Sequence, residues 1–369
     1  MRVRAGEWAA SRAALAVCAC LIAGCGQDEG SSSLEGPGNA AAPAVALAPK
    51  PPARLELVWP TPNDAYWRGG GIESFVQPTE SGELTSGLFG SVRSGGRQFH
   101  EGLDLFPLER DRKGEPLDPV FAVMPGVVRH ISSREGASSY GRYVVLEHPG
   151  QSPAVYTLYA HLSRIAPGLR TGEPVSAGQT IGTLGRSAGG YTIPKQRAHL
   201  HFEIGLRVTD RFQEWYKSRG FGSPNEHGLW NGMNLMGLDP LVFFERSRAG
   251  GLLRLDDVIR GMPVAITLRV AEPGEPDFVR RYPSLVERAD GAGAGWELSL
   301  GATGAPLRWR RLGAAELAGL RPGEVSIDKV DTELLRVNRG RKLIETRRGE
   351  ARPGEDLRSV LEQLWGKRR

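Results

Sequence analysis

Ala198-His199-Leu200-His201-Phe202-Glu203-Ile204 is the stretch from which the rest of the chain is best read. Side chains of an extended strand alternate between two faces. Leu200 and Phe202 therefore share one face, and His199 and His201 share the other. Two imidazoles on the polar face of an otherwise apolar strand can reach one metal site, although the spacing alone also suits packed structural histidines. Outward from this strand the pattern repeats. Short β-type runs at 119–131, 143–148 and 154–161 are separated by breakers at Glu135-Gly136, Pro149-Gly150, Pro167-Gly168 and Ala188-Gly189-Gly190. With 49 Gly and 26 Pro in 369 residues, the chain favours turns and short strands over long helices. The predicted fold is mainly β, an antiparallel sheet with long loops, followed by a smaller α+β C-terminal domain.

Seven histidines occur, and the ones that matter are ordered along the chain. Phe99-His100-Glu101-Gly102-Leu103-Asp104 carries an H-x-x-x-D. Tyr159-Ala160-His161-Leu162 closes a β run 57 residues after Asp104, and the His199/His201 pair begins 38 residues after His161. Imidazoles without partners are costly inside such apolar runs. Between them lie Val123-Met124-Pro125-Gly126-Val127-Val128, a glycine-punctuated segment from Gly172 to Gly182, and the Gly-rich loop 185–189.

Taken together, residues 85 to 205 resemble the lysostaphin/LytM-type zinc peptidases that cut cell-wall peptides. The resemblance implies one zinc ion held by His100, Asp104 and His201, a set that leaves a fourth position for water and so suits a catalytic zinc. It also implies that His161 and His199 are non-ligand histidines that move protons or bond the oxyanion, in an order the sequence leaves open. The implied activity is hydrolysis of peptide cross-links in bacterial peptidoglycan. The alternative is a non-catalytic relative that binds or activates other wall hydrolases. All five positions hold the required residues, which favours the enzyme.

The remaining site candidates are weaker. Tyr159 could touch substrate or pack, and Trp230 could wall a groove or belong to a structural flap in the insertion-like stretch 209–238. Glu101 and Glu203 adjoin ligands but are expected to face away from the metal. His148 suits a packed or supporting role, and His130 and His227 suit solvated loops. A segment around Trp59 to Phe75 could lie across the groove as a latch.

The ends of the chain have a different character. Arg2, Arg4 and Arg12 precede a 12-residue apolar run, Ala13 to Gly24, too short to span a bilayer. The run closes on Leu21-Ile22-Ala23-Gly24-Cys25, which resembles a bacterial lipobox. The expected organisation is a lipoprotein signal peptide at 1–24, lipidation at Cys25, a flexible tether at 25–54, the peptidase domain at 55–249 and the C-terminal domain at 250–369. Cys18, Cys20 and Cys25 are the only cysteines, so a lipidated mature chain would hold no free thiol and no disulfide. Gly26 is not the Asp that often marks inner-membrane retention, and the expected location is the outer membrane facing the periplasm. Expected partners are peptidoglycan, the membrane through its anchor, and a possible regulatory protein.

Several classes are excluded. A net charge of +5 without basic clustering argues against nucleic-acid binding. No helical H-E-x-x-H is present. Lysine is absent between Lys113 and Lys195, so a lipoyl-type carrier has no hairpin lysine. In the tail, strands are expected at Val264–Val270, Trp296–Leu300 and Leu334–Val337. A final helix is expected from Leu357, Val360, Leu361 and Leu364 at i, i+3, i+4, i+7.

Overall fold

The computed structural model describes residues 55–250, 254–287 and 293–366. The expected signal peptide, Cys25 and tether lie outside the described residues. No helix among them is long and apolar enough to cross a membrane.

The centre is a seven-stranded antiparallel sheet. Its main path runs Leu235–Leu238, Leu200–Arg207, Tyr156–Ala160, Tyr143–Glu147, Gly126–Ser132 and Pro174–Val175, and Leu103–Leu105 also pairs with Leu200–Arg207. The alternation read from the sequence holds: Leu200, Phe202, Ile204 and Leu206 are fully buried in the main core. The opposite face carries a second apolar cluster of Tyr143, Val145, Tyr156, Leu158 and Ala160. It is covered by the insertion at Leu235 and Trp230. Away from the cleft, both faces of the sheet are therefore covered by apolar side chains, which is why its strands read as near-continuous apolar runs.

The segment Trp59–Phe75 does not cross the groove. Trp59 stacks on Tyr66 with ring centroids 4.9 Å apart and packs on Phe75 and Phe244, the last in helix Pro240–Arg248. Burial of these rings fixes the segment against the core.

The tail contains a five-stranded sheet in the order Val286–Glu287, Pro306–Leu312, Gly295–Leu300, Ile266–Val270, Val325–Val330. Helix Glu355–Trp365 buries Leu357, Val360, Leu361 and Leu364, the stripe expected from sequence. The strand expected at Leu334–Val337 is instead the helical turn Thr332–Val337. The Asp331 side chain accepts from the Leu334 backbone N–H and caps it, a local bond that wins over the β preference of the short apolar run. One apolar cluster runs continuously from Leu55 to Trp365 and so joins the part before residue 250 to the tail. Where the central strand ends, the Arg207 backbone N–H donates to the Tyr282 hydroxyl at 3.0 Å.

Candidate active site

Register brings the first two site residues together. In the pairing of Leu103–Leu105 with Leu200–Arg207, Asp104 stands directly opposite His201, so their side chains leave the same face as close neighbours. His100 ends the strand Gln98–His100, one turn of chain before Asp104. Each histidine is oriented by the nitrogen that points outward. His100 Nδ1–H donates to Leu88 O at 2.7 Å, and His201 Nε2–H donates to Glu203 Oε1 at 2.9 Å. The inward atoms then form a tight triangle. His100 Nε2 lies 2.9 Å from His201 Nδ1, and both lie 3.1 Å from Asp104 Oδ1.

With those tautomers, all three inward atoms are lone-pair acceptors converging on one point, and a cation is needed between them. Tetrahedral zinc with ligand bonds of about 2.0–2.2 Å separates its ligands by about 3.4 Å, close to this triangle. The outward bonds to a backbone carbonyl and a carboxylate are those that fix ligand histidines. The residues present fit a zinc ion. Among the described residues, these three form the group whose atoms could hold a metal.

His161 and His199 stand beside this triangle. The His161 ring lies 4.8 Å from that of His199 and 6.0 Å from that of His201, centroid to centroid. Their Nδ1–H groups donate to Ser187 O at 2.8 Å and Arg197 O at 2.7 Å, which leaves each Nε2 as a lone pair. His199 Nε2 is 3.6 Å from Asp104 Oδ1. His161 follows its strand with φ of 60°, a left-handed turn that costs a non-glycine residue about 1–3 kcal/mol. Gly185 packs against this turn so closely that a Cβ there would sit 2.2 Å from Ser163 N and 2.7 Å from His161 O.

The charges are balanced within the site. Burial pushes the Asp104 carboxyl up, but its surroundings, in which Arg93 is the permanent positive charge, hold the group well below the usual range. Arg93 bonds its outer oxygen, Oδ2. Burial keeps His161, His199 and His100 below their ordinary value, so these imidazoles are neutral. Burial likewise pushes Glu203 up, and bonds from His201, Tyr156 and Tyr140 more than offset it. The two tyrosine hydroxyls donate to Glu203 at 2.7 Å each.

Glu203 is therefore a correction to the expectation that it faces away. Strand parity was the available signal, since 199, 201 and 203 fall on one face. Glu101 is corrected too, because it lines the cleft and pairs with Arg341 at 2.6 Å. Tyr159 is not a substrate contact. It lies opposite Phe202, with no exposed surface, and its hydroxyl accepts from Val123 N at 3.0 Å on the core side. Trp230 does not line the cleft either. It packs on the second cluster, with the Arg207 guanidinium 5.2 Å from its ring centroid. The insertion does wall the cleft of about 910 Å³, but through Tyr216, His227, Asn231 and Met233. His148 is buried between Pro125 O and the Thr157 hydroxyl. His227 is also buried, with Nδ1 3.3 Å from His130 Nε2, so neither is a solvated loop residue.

His/Asp/His ligand atoms brought together from three strands, flanked by two neutral histidines in an open cleft, suit a site of the metallopeptidase class. Residues 98–212 match the model of peptidase family M23. The chain is 30% identical over 148 residues to the L-Ala--D-Glu endopeptidase of Bacillus subtilis, a match covering 39% of this chain and 41% of that protein. It thus spans about two-fifths of that relative's length. Among solved structures, it is similar to a zinc-containing peptidase from Vibrio cholerae at 27% identity, over 36% of this chain and 34% of that chain, with a TM-score of 0.25. The catalytic domain of lysostaphin from Staphylococcus simulans matches at 22% identity, over 41% of this chain and 82% of that chain, with a TM-score of 0.25.

Proposed function

We propose that this chain is a zinc-dependent endopeptidase that hydrolyses peptide cross-links of bacterial peptidoglycan, lipid-anchored at Cys25 to the outer membrane and facing the periplasm. The observation that carries the activity is the triangle of His100 Nε2, His201 Nδ1 and Asp104 Oδ1 beside the two pinned histidines. A bound zinc ion supplies a Lewis acid that lowers the pKa of water and polarises a carbonyl. His161 and His199 each hold an Nε2 lone pair that can accept a proton and, once protonated, bond a developing oxyanion or return the proton to the leaving amine. Their Nδ1 bonds to backbone carbonyls keep that nitrogen aimed into the site through the cycle. Tyr140 and Tyr156 hold Glu203, which holds His201.

A peptidoglycan substrate is supported by the M23 match and by the curated relative, and the Cys25 anchor by the lipobox. The alternative, a non-catalytic activator, would not require His161 and His199 to be pinned with free Nε2 atoms. The test uses the purified chain from residue 26 on isolated peptidoglycan, with products read by mass spectrometry, with and without chelator, beside His199→Ala. Release of cross-link fragments that depends on metal and on His199 is expected. Absence of any cleavage by the folded, zinc-loaded protein would overturn the enzyme reading in favour of the activator.

A further inference from the structure

The tail reaches the catalytic cleft. Its segment Asn338–Arg341 docks on the hairpin Gly90–Arg93/Gln98–His100, which ends in the first metal ligand. Arg339 donates to Gly95 O and, at 3.2 Å, to Gly96 O. Gly340 N donates to Ser91 Oγ at 2.9 Å. The approach is close, since a Cβ on Gly340 would lie 2.7 Å from Phe99 N. Arg341 then extends its guanidinium over Phe99, 5.2 Å from the ring centroid, to Glu101 beside His100.

Beyond Arg341 the cleft continues into a crevice of about 250 Å³ between the insertion and helix Glu355–Trp365. Cleft and crevice share Glu101, Gly232, Met233 and Arg341, so an extended chain leaving the metal centre in this direction passes between Met233 and Arg341. The crevice carries exposed apolar surface at Met233 and Phe221, 44% and 42% exposed. Its mouth carries the Arg341–Glu101 pair, and it is also lined by Asp356, which accepts from Lys342 N, and by Arg219, which pairs with Glu362. The other two arginines of the cleft are committed: Arg93 to Asp104 and Ser86 O, Arg134 to Glu226. Among the described residues, Arg341 has one hydrogen-bond acceptor, Glu101, reached through Nη2. Its Nη2 is taken by Glu101 and its Nε is buried, so Nη1 is the guanidinium nitrogen left for a carboxylate oxygen at the cleft wall.

We propose that this crevice is a substrate subsite completed by the tail, in which Arg341 reads a free carboxylate on one limb of the peptide whose scissile bond lies at the metal centre. The inference rests on the peptidase reading of that centre. Arg341 acts here as a specificity-determining residue, and the tail is part of the substrate site.

The test compares two synthetic peptidoglycan peptides that differ only in a free acid or an amide at the acidic residue flanking the cleaved bond. Both kcat/KM and, by calorimetry with zinc-loaded protein, Kd are measured. The wild type is expected to favour the acid about 10-fold or more, chiefly through KM and Kd. Arg341→Gln should bring the acid-to-amide ratio close to one, and Arg341→Lys should restore part of it. Arg339→Gln, which loosens the same docked segment without entering the cleft, should keep the wild-type ratio. A wild type indifferent to amidation would overturn the proposal. So would an unchanged ratio in Arg341→Gln, or a ratio lost equally in Arg339→Gln. If neither peptide is cleaved, the peptidase reading fails, and the ratio of the two Kd values still decides whether Arg341 reads the carboxylate.

Discussion

Glu203 Oε1 accepts the Nε2 proton of His201 at 2.9 Å, two residues along the same strand and on the same face. The carboxylate also takes the hydroxyls of Tyr140 and Tyr156, which burial and the adjacent charge keep protonated. The bond fixes the tautomer that turns His201 Nδ1 toward Asp104. Replacing Glu203 with Gln keeps an acceptor and should weaken zinc binding mildly. Glu203→Ala removes it and should weaken zinc binding about 10- to 100-fold. The two orphaned tyrosine hydroxyls add a stability loss of about 1–3 kcal/mol each. A competition titration with a chromophoric chelator measures the first effect and thermal melting the second. Wild-type zinc affinity in Glu203→Ala would show that the tautomer is set elsewhere.

His201→Ala should abolish stoichiometric zinc while leaving the sheet folded, because the core face of its strand is made by Leu200, Phe202, Ile204 and Leu206. Metal content by mass spectrometry, read beside circular dichroism, checks this. One zinc per folded variant would sink the ligand assignment.

His161→Ala and His199→Ala should both retain zinc, since neither ring belongs to the triangle. Each should lose about 10²- to 10⁴-fold in kcat, the usual contribution of positioned acid–base catalysis. Near-wild-type turnover in both, on the same peptidoglycan, would overturn their assignment.

His148 predicts an acid-sensitive fold outside the metal site. Burial pulls its pKa down to about 4, against which the bond to Pro125 O works only in part. The unfolded chain takes up this proton near pH 6.5 and the folded chain only near 4. Its contribution is therefore complete above pH 6.5 and lost as the pH falls toward 4. The loss amounts to about 2–3 kcal/mol over the window. His148→Gln should be less stable at pH 7.5, and the gap to wild type should narrow as denaturant midpoints are measured down to pH 4.5. A constant gap would mean that His148 does not titrate with folding.

How much of this was legible beforehand depended on distance along the chain. Strand parity placed His199 and His201 together, and the order of H-x-x-x-D, His161 and H-x-H along the chain resembled a known catalytic set. The same parity also places Glu203 beside His201, and it separates Tyr159, paired with Phe202, from the site. Trp230 gave no such signal. An aromatic in a Gly-rich loop can face a groove or a core, and here Tyr143, Tyr156 and Leu235 supply a dry face for it. At Leu334–Val337 a capping Asp331 redirected an apolar run into a helical turn.

By itself, the sequence determined the β class, the alternation that buries Leu200 and Phe202, and the identity of the metal-ligand types, because these follow from periodicity and side-chain chemistry within a few residues. Tertiary structure alone decided the rest. Register between strands about a hundred residues apart set Asp104 opposite His201. Packing closed the insertion over the second sheet face, and the docking of Asn338–Arg341 brought an arginine from the tail to Glu101. Such contacts depend on which distant surfaces bury each other, a global balance of apolar area that no local pattern of residues encodes.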